Sequence, residues 1–169
     1  MNYRLVKEVQ KRTRKSTDLL KKAMVFLCVL FVLAGIVLDR GMMFLALLTA
    51  GMYFLYDAYG TEDYEYIMED NVFTIIVIRG NRFRKTAHQL DLKDLEIVAP
   101  SRHQAVARYR KKGGEETLPK YDYTSYEPDI PYYTMIITEN KKKIKLLLDL
   151  DEDMLRRMKR MYPDKVFCE

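Results

Sequence analysis

Cysteine and histidine are scarce in this chain, which has only two of each among its 169 residues. Cys28 lies inside a long apolar run and Cys168 near the C-terminus, so they suggest no disulfide, as is usual for a cytoplasmic domain. His88 and His103 are too few to build a metal-ligand cluster. The sequence therefore predicts neither a metal site nor a cofactor.

Recognisable catalytic motifs are also missing. Asp91 and Asp94 lie three residues apart, as paired carboxylates on one face would, but capping of a short turn is the simpler interpretation. Ser101 and His103 are two residues apart, and no nucleophile elbow surrounds the serine. Gly113–Gly114 lacks the spacing and the following Lys-Ser/Thr of a phosphate loop. We therefore expect that the protein is not an enzyme.

Charge is absent from two long apolar runs, Ala23–Leu38 and Gly41–Tyr56, which are separated only by Asp39–Arg40. Each run has 16 residues, or about 24 Å as a helix, slightly short of the roughly 30 Å hydrocarbon core of a bilayer. Lys21 and Lys22 can extend toward the headgroups and so lengthen the first span. A buried hairpin in a soluble protein would need more apolar chain to cover it, and a signal peptide would not be followed at once by a second run. The pattern predicts a membrane hairpin, with no ionisable residue in either span to indicate a transport path.

The distribution of charge predicts the orientation of this hairpin. Residues 1–22 carry eight Lys and Arg against two acidic residues, whereas the turn between the runs has a single Arg. The positive-inside rule then places both termini in the cytoplasm and the protein in the plasma membrane as a multi-pass protein. Because residues 58–169 have 20 basic and 20 acidic side chains, the formal net charge of +5 belongs to the N-terminal arm. Beside a membrane span, that arm favours anionic lipid headgroups as its partner, and no nucleic acid is expected.

Beyond the hairpin, residue periodicity predicts a small antiparallel sheet closed by one helix. Tyr64–Met68 alternates like a half-buried strand, and Val72–Ile78 is the β-branched run of a central strand. Glu152–Tyr162 carries one apolar stripe, with acidic residues first and basic residues toward its end, as an amphipathic helix does. Further strands are predicted at Arg82–Leu90, Ile97–Val98, Tyr133–Ile137 and Lys143–Leu148. The predicted organisation is a basic arm over residues 1–22, the hairpin over 23–57, a linker over 58–63 and a cytoplasmic domain over 64–169.

The order of these elements resembles a pleckstrin-homology-like (PH-like) domain. Its opening strands are similar to those of bacterial PH-like domains, including an L-x-D-L-x-x-V segment at Leu92–Val98. The whole chain also resembles a family of Gram-positive bacterial membrane proteins with a two-helix N-terminal hairpin. The matching motifs are Glu96–Pro100, the DYTS stretch Asp122–Ser125 and the ending Lys165–Phe167. The resemblance implies an α+β fold, a transmembrane hairpin followed by a PH-like antiparallel sheet or barrel closed by the C-terminal helix, and no particular reaction.

Two basic clusters in the cytoplasmic domain are candidate contacts for anionic headgroups or a partner. The first surrounds the Gly80–Asn81 turn and consists of Arg79, Arg82, Arg84 and Lys85. PH domains often bind phosphoinositides through basic residues near an early turn, although this cluster lies one turn further along. The alternative is a solvated hairpin whose charges keep a sheet edge soluble. The second cluster consists of Arg102, Arg108, Arg110, Lys111 and Lys112.

A tyrosine-rich segment follows the second cluster and is a candidate partner loop. The tyrosines in question are Tyr121, Tyr123 and Tyr126, with Tyr132 and Tyr133 further along. Roughly 30 residues between strands exceed ordinary loop lengths, so this segment is either mobile or functional.

A short linker governs the choice between two functions. Residues 58–63 reach only about 20 Å, which holds the domain at the inner leaflet and makes lipid specificity unnecessary for localisation. The first hypothesis is therefore a membrane-anchored adaptor that binds a protein partner, or a second copy of itself, through a sheet edge or the tyrosine-rich segment. Ala46 and Ala50 have the spacing that lets helices pack closely, between copies or within the hairpin. The alternative is a module that senses anionic lipid through the basic clusters.

Overall fold

The computed structural model describes residues 4–12, 15–60, 62–80, 83–110 and 117–168, and it has the predicted α+β composition. The chain divides into two compact units. The first consists of Met1–Lys11, Asp63–Val77 and Lys85–Glu169, and the second of Arg12–Glu62 and Ile78–Arg84.

The first sheet has four strands in the order β1-β2-β3-β4 among the described residues. These strands are β1 Arg4–Gln10, β2 Glu62–Glu69, β3 Val72–Arg79 and β4 Phe83–Asp91. The predicted strands at β2, β3 and β4 are confirmed, and Asp70, at φ +47°, forms the turn from β2 into β3. β1 was not predicted, and it lies within the segment expected to be a basic arm.

The second sheet has the order β5-β7-β8-β6 among the described residues. Its strands are β5 Leu95–Pro100, β6 Lys120–Asp122, β7 Tyr133–Glu139 and β8 Lys142–Leu148. β5, β7 and β8 pair antiparallel as predicted, whereas the short β6 was not predicted and runs parallel to β8. Within the described residues the sheets are not closed into a barrel, so the predicted barrel is not confirmed. β4 and β5 are consecutive but lie in different sheets, separated by a 3-10 turn at Leu92–Asp94, so no ladder connects them.

The C-terminal helix α3, Glu152–Met161, packs onto the core of the first unit as predicted. Asp151 caps it, since its carboxylate accepts a hydrogen bond from the Met154 backbone N–H at 2.9 Å. Met154 and Met158 are fully buried with Tyr66 from the first sheet and Leu146 from the second. Burial of each such side chain contributes about 2 kcal/mol, so the apolar stripe of α3 is core rather than a ligand surface.

Two apolar helices, α1 Lys15–Val37 and α2 Gly41–Gly60, form the predicted hairpin. Their 23 and 20 residues correspond to about 34 and 30 Å, longer than the uncharged runs alone. Both are long and apolar enough to cross a membrane, and only 6% of the most apolar window of each is buried, which indicates membrane association.

Small residues and one ion pair hold the two helices together. Ala46 is buried within the hairpin, and its carbonyl accepts a contact from the Cys28 Sγ at 3.5 Å. A Cβ at Gly35 would lie 2.6 Å from the Met43 side chain, so glycine permits the close approach. The Lys21 Nζ lies 2.6 Å from the Asp57 carboxylate. Ala46 is therefore used within the hairpin, one of the two roles expected from its spacing.

In the chain, the hairpin connects two strands, β1 and β2, that pair directly with each other in the first sheet. Gln10 at the end of β1 lies opposite Asp63 of β2, and the Lys11 backbone N–H donates to the Asp63 carboxylate at 3.2 Å. Because α2 runs to Gly60 and β2 begins at Glu62, a single residue separates them. The chain thus leaves the sheet and returns to it at adjacent positions.

The turn between β3 and β4 contacts the end of α2. Gly80 has φ +57°, and a Cβ there would lie 2.1 Å from the backbone oxygen of Ala58. A side chain is therefore excluded both by the backbone conformation and by the approach of the helix end.

Gly80→Ala is expected to destabilise the protein. The positive φ costs about 1 kcal/mol for alanine, and displacement of the Ala58 carbonyl adds to it, so the thermal midpoint should fall by at least about 2 °C. Circular dichroism of the full chain in a mild detergent measures this midpoint. Gly51→Ala is the matched control, because nothing lies within 4 Å of its added Cβ and alanine favours a helix. Equal midpoints for the two variants would contradict the expectation.

Candidate binding surfaces

The first predicted basic cluster lies at the β3–β4 turn, and the structure describes three of its four members. The Arg79 guanidinium lies 2.9 Å from the Glu62 carboxylate, so much of its charge is compensated locally. Arg84 and Lys85 are exposed on β4. Arg82 lies outside the described residues. Whether this cluster binds an anion stays a prediction.

Aromatic side chains accompany this turn where it meets α2. The rings of Tyr59 and Phe83 stack with centroids 6.2 Å apart and an angle of 10° between their planes. Nevertheless, Tyr59 is 57% exposed and Phe83 is 59% exposed. Neither residue was predicted to be a contact. The sequence signal was limited to one aromatic residue in the predicted linker, Tyr59, and one just after the predicted turn, Phe83. We call Tyr59, Phe83, Arg79 and Arg84 the interfacial turn.

The three described members of the second predicted basic cluster, Arg102, Arg108 and Arg110, are exposed, and two of them contact acceptors within the domain. Arg108 lies in a 3-10 turn at Gln104–Tyr109, 2.6 Å from the Glu96 carboxylate and 4.7 Å from the centroid of the Tyr109 ring. The guanidinium of Arg110 donates to the backbone oxygens of Arg102 and His103. These contacts help to fix the segment that follows β5, and the role of the cluster as a headgroup or partner contact stays a prediction. The last two members, Lys111 and Lys112, lie outside the described residues.

Glu96 is the centre of this polar network. Its carboxylate accepts a hydrogen bond from the Tyr109 hydroxyl at 2.5 Å and lies 2.8 Å from the Lys143 ammonium. Burial acts to raise the pKa of Glu96, but the hydrogen bonds from Lys143 and Tyr109 and the charge of Arg108 outweigh it. The pKa of Glu96 therefore lies below its ordinary value of 4.5, and the ionised form is the one that folding favours.

The described part of the tyrosine-rich segment is held by the DYTS stretch. The backbone N–H and hydroxyl of Ser125 both donate to one oxygen of Asp149, at 2.7 and 2.6 Å, and Asp149 is 2% exposed. The Tyr66 hydroxyl donates to the Tyr123 backbone oxygen at 2.5 Å. The Tyr123 N–H donates to the Leu147 backbone oxygen. Residues 117–132 therefore form a fixed border of the second sheet, and the motif that carried the family resemblance has a structural role.

The three candidate tyrosines have different surroundings. Tyr123 is half-buried, and its ring stacks on Tyr121 at 6.5 Å. His88, whose Nδ1 lies 2.9 Å from the Glu139 carboxylate, packs edge-on against Tyr121. Tyr126 is exposed in a left-handed conformation, and burial together with the Asp122 charge raises its pKa. Tyr121 and Tyr126 thus remain accessible to a partner, and their role stays a prediction.

The catalytic-looking pairs of the sequence have local structural roles. The Asp91 carboxylate caps the 3-10 turn by accepting from the Lys93 N–H at 2.9 Å, as predicted. The His103 Nδ1 accepts from the Ala105 N–H, and the Ser101 hydroxyl contacts Thr134. Among the described residues, no group of three or more His, Cys, Asp or Glu side chains is arranged to hold a metal ion.

A groove that the sequence did not predict lies between β1 and α3. It has a volume of about 500 Å³ and is open to solvent. Its lining comprises Leu5, Asp153, Arg156, Arg157 and Arg160. The four α3 positions follow the i, i+3, i+4, i+7 spacing of one helix face, which was visible in the sequence. The groove itself could not be predicted, because its other wall is β1 and that strand had not been predicted. We call this the β1–α3 groove.

Comparison with known families gives one match. A family model described as a bacterial PH-like domain (DUF6106) matches residues 6–168, a range that includes both apolar helices. The searches of curated proteins and of solved structures gave no match.

Glu96→Gln is expected to weaken the acid sensitivity of the fold. A lowered pKa contributes stability above about pH 4.5, and this stability is lost as the pH falls through the folded pKa. The thermal midpoint of the native protein should therefore drop between pH 6 and pH 3, and the drop should be smaller in Glu96→Gln. Glu127→Gln, at an exposed position, serves as the control and should keep the native pH dependence. Identical pH dependence in all three proteins would show that Glu96 does not carry this linkage.

Proposed function

Because the chain belongs to the bacterial PH-like domain family (DUF6106), we propose that it is a membrane-anchored, non-enzymatic binding protein that presents its PH-like domain to a protein partner. One observation carries the proposal. The apolar hairpin is the stretch of chain that connects β1 to β2, two strands that pair in the first sheet. Anchor and binding domain are thus parts of one folded chain rather than separable modules.

The anchoring role rests on the character of the two helices. Their lengths match the roughly 30 Å hydrocarbon core, and most of their apolar side chains are exposed. Water contact with that much apolar surface is strongly unfavourable, whereas acyl chains cover it at no such cost. The Lys21–Asp57 pair lies near the ends of the helices, where headgroups and water would meet it.

The orientation rests on charge. Eight basic residues precede the first apolar run and one lies between the runs, so the N-terminal side remains in the cytoplasm. Two crossings return the chain to the same side. β1 and β2 then meet in one compartment, as their pairing requires.

Cysteine labelling tests the anchor and its orientation. In a Cys28→Ser, Cys168→Ser background, Arg40→Cys lies in the turn between the helices and Asp129→Cys on the exposed face of the PH-like domain. A membrane-impermeant maleimide should label Arg40→Cys on intact cells and label Asp129→Cys only in inside-out vesicles. Carbonate extraction should leave both variants in the membrane. The opposite labelling pattern, or release by carbonate, would overturn the proposal.

The interfacial turn favours a second candidate function, contact with anionic lipid. It is seated on the end of α2, where a membrane-spanning helix would leave the hydrocarbon core. Aromatic rings such as Tyr59 and Phe83 prefer that depth, and each nearby Lys or Arg gains on the order of 1 kcal/mol from an anionic leaflet. The stacked pair remains more than half exposed, so its rings are available to lipid.

Phe83→Trp tests this contact, because the chain has no tryptophan of its own. In nanodiscs its emission should be blue-shifted and quenched by lipids brominated near the headgroup. Quenching should increase with the fraction of phosphatidylglycerol, and Arg84→Gln with Lys85→Gln should reduce that increase. Leu48→Trp, in the apolar part of α2, is the control, and lipids brominated deep in the acyl chain should quench it whatever the lipid charge. Full accessibility of Phe83→Trp to acrylamide would exclude the lipid contact.

A further inference from the structure

β1 is an edge strand with an accessible outer side. Among the described residues, β2 is the only strand that pairs with it. An edge strand presents backbone N–H and C=O groups to any additional strand that can reach them. Val6 is 46% exposed, and the side chain of Leu5 packs against the core while lining the groove. This edge therefore offers both backbone pairing and apolar contact.

The opposite wall of the groove is positively charged. Arg156 and Arg160 are exposed, whereas Arg157 is half-buried and lies 3.6 Å from the Asp70 carboxylate. Among the described residues, Arg156 forms its ion pair with the exposed Glu152 of its own helix turn. Within the described part of the chain, Arg160 has no ion-pair partner. Guanidinium groups bind carboxylates in a fixed, often bidentate geometry, so this wall is suited to acidic side chains.

We propose that the β1–α3 groove binds an extended acidic segment of a partner protein, which adds to the first sheet as a strand beside β1. This inference rests on the proposed binding function and names the partner's chemistry. Backbone hydrogen bonds to β1 give the segment its extended form, and its alternate side chains face the wall of α3. Carboxylates meet Arg156 and Arg160, whereas the position opposite Asp153 favours a neutral or basic residue.

Charge disfavours a second copy of this chain as the occupant. The edge carries Lys7 and Arg4, the latter 3.4 Å from Glu69, and the lining of α3 carries Arg160 together with two arginines paired to Glu152 and Asp70. A symmetric contact would bring these positive surfaces together, which is unfavourable across an interface. An acidic partner compensates the same charges.

The test uses the full chain in phosphatidylcholine nanodiscs, since a fragment that begins after α2 would lack β1. The probe is a fluorescein-labelled peptide that alternates glutamate with valine, and its anisotropy reports binding. Arg156→Glu with Arg160→Glu should weaken binding by at least about tenfold, as loss of close charge pairs does. Lys159→Glu is the matched control, because Lys159 is exposed on the same helix outside the groove, and it should change binding by less than about twofold.

Two further peptides test the backbone contact and the charge separately. A peptide methylated on alternate backbone nitrogens keeps its side chains but loses the donors of one edge, and it should not bind. An unmethylated peptide with glutamine in place of each glutamate should also bind weakly. Its affinity for the native protein should be as low as that of the glutamate peptide for Arg156→Glu with Arg160→Glu. If the double variant unfolds, Arg160→Gln alone should still weaken binding.

Several outcomes would overturn the inference. If neither the charge reversals nor the backbone methylation changes the affinity of the peptide, the peptide does not bind in the groove. Peptide binding that Arg156→Glu with Arg160→Glu leaves unchanged would show that the arginines do not hold the peptide, and would leave lipid headgroups as their partner. Disulfide-linked dimers of Val6→Cys would assign the edge to a second copy. If the cysteine labelling gives the expected pattern but the peptide does not bind, the proposed anchored binding protein is retained and the proposed groove site is rejected.

Discussion

The pairing of β1 with β2 is the constraint on which the rest of the structure depends. Residues far apart in sequence become direct neighbours, with Gln10 opposite Asp63 and Lys11 bound to the Asp63 carboxylate. Everything between them is the helical hairpin. The sheet therefore has an apolar insertion at one end of its first two strands, and β1 becomes an edge that α3 flanks with arginines.

The described basic residues differ in whether they contact acceptors within the domain. Arg108 pairs with Glu96 and Arg110 donates to backbone oxygens, so both side chains are held in place beside the segment that follows β5. Arg160 has no such local partner among the described residues. The net charge of a cluster in sequence is thus a poor guide to binding until the internal acceptors of its members are known.

Local pattern was sufficient to predict the elements whose burial follows a simple period. The β-branched run from Val72 and the apolar stripe of α3 were found because one face of each is core. β1 was missed because its three apolar residues do not alternate regularly with its charged ones, and because its partner strand follows a hairpin of two helices. β6 was missed because three residues carry almost no pattern. Ser125 and Asp149 are 24 residues apart, and only tertiary contact shows them as a buried pair.

The helical hairpin also explains how so distant a pairing is reached. Closing a flexible loop of about 50 residues costs on the order of 3 kcal/mol in chain entropy, a large fraction of a typical domain's stability. Here α1 and α2 contact each other along their length, through Cys28 with Ala46 and Lys21 with Asp57. Their antiparallel packing already brings the two chain ends together, so only the short segments beside Gln10 and Glu62 remain to be ordered. The apolar hairpin therefore lowers the entropic cost of pairing β1 with β2.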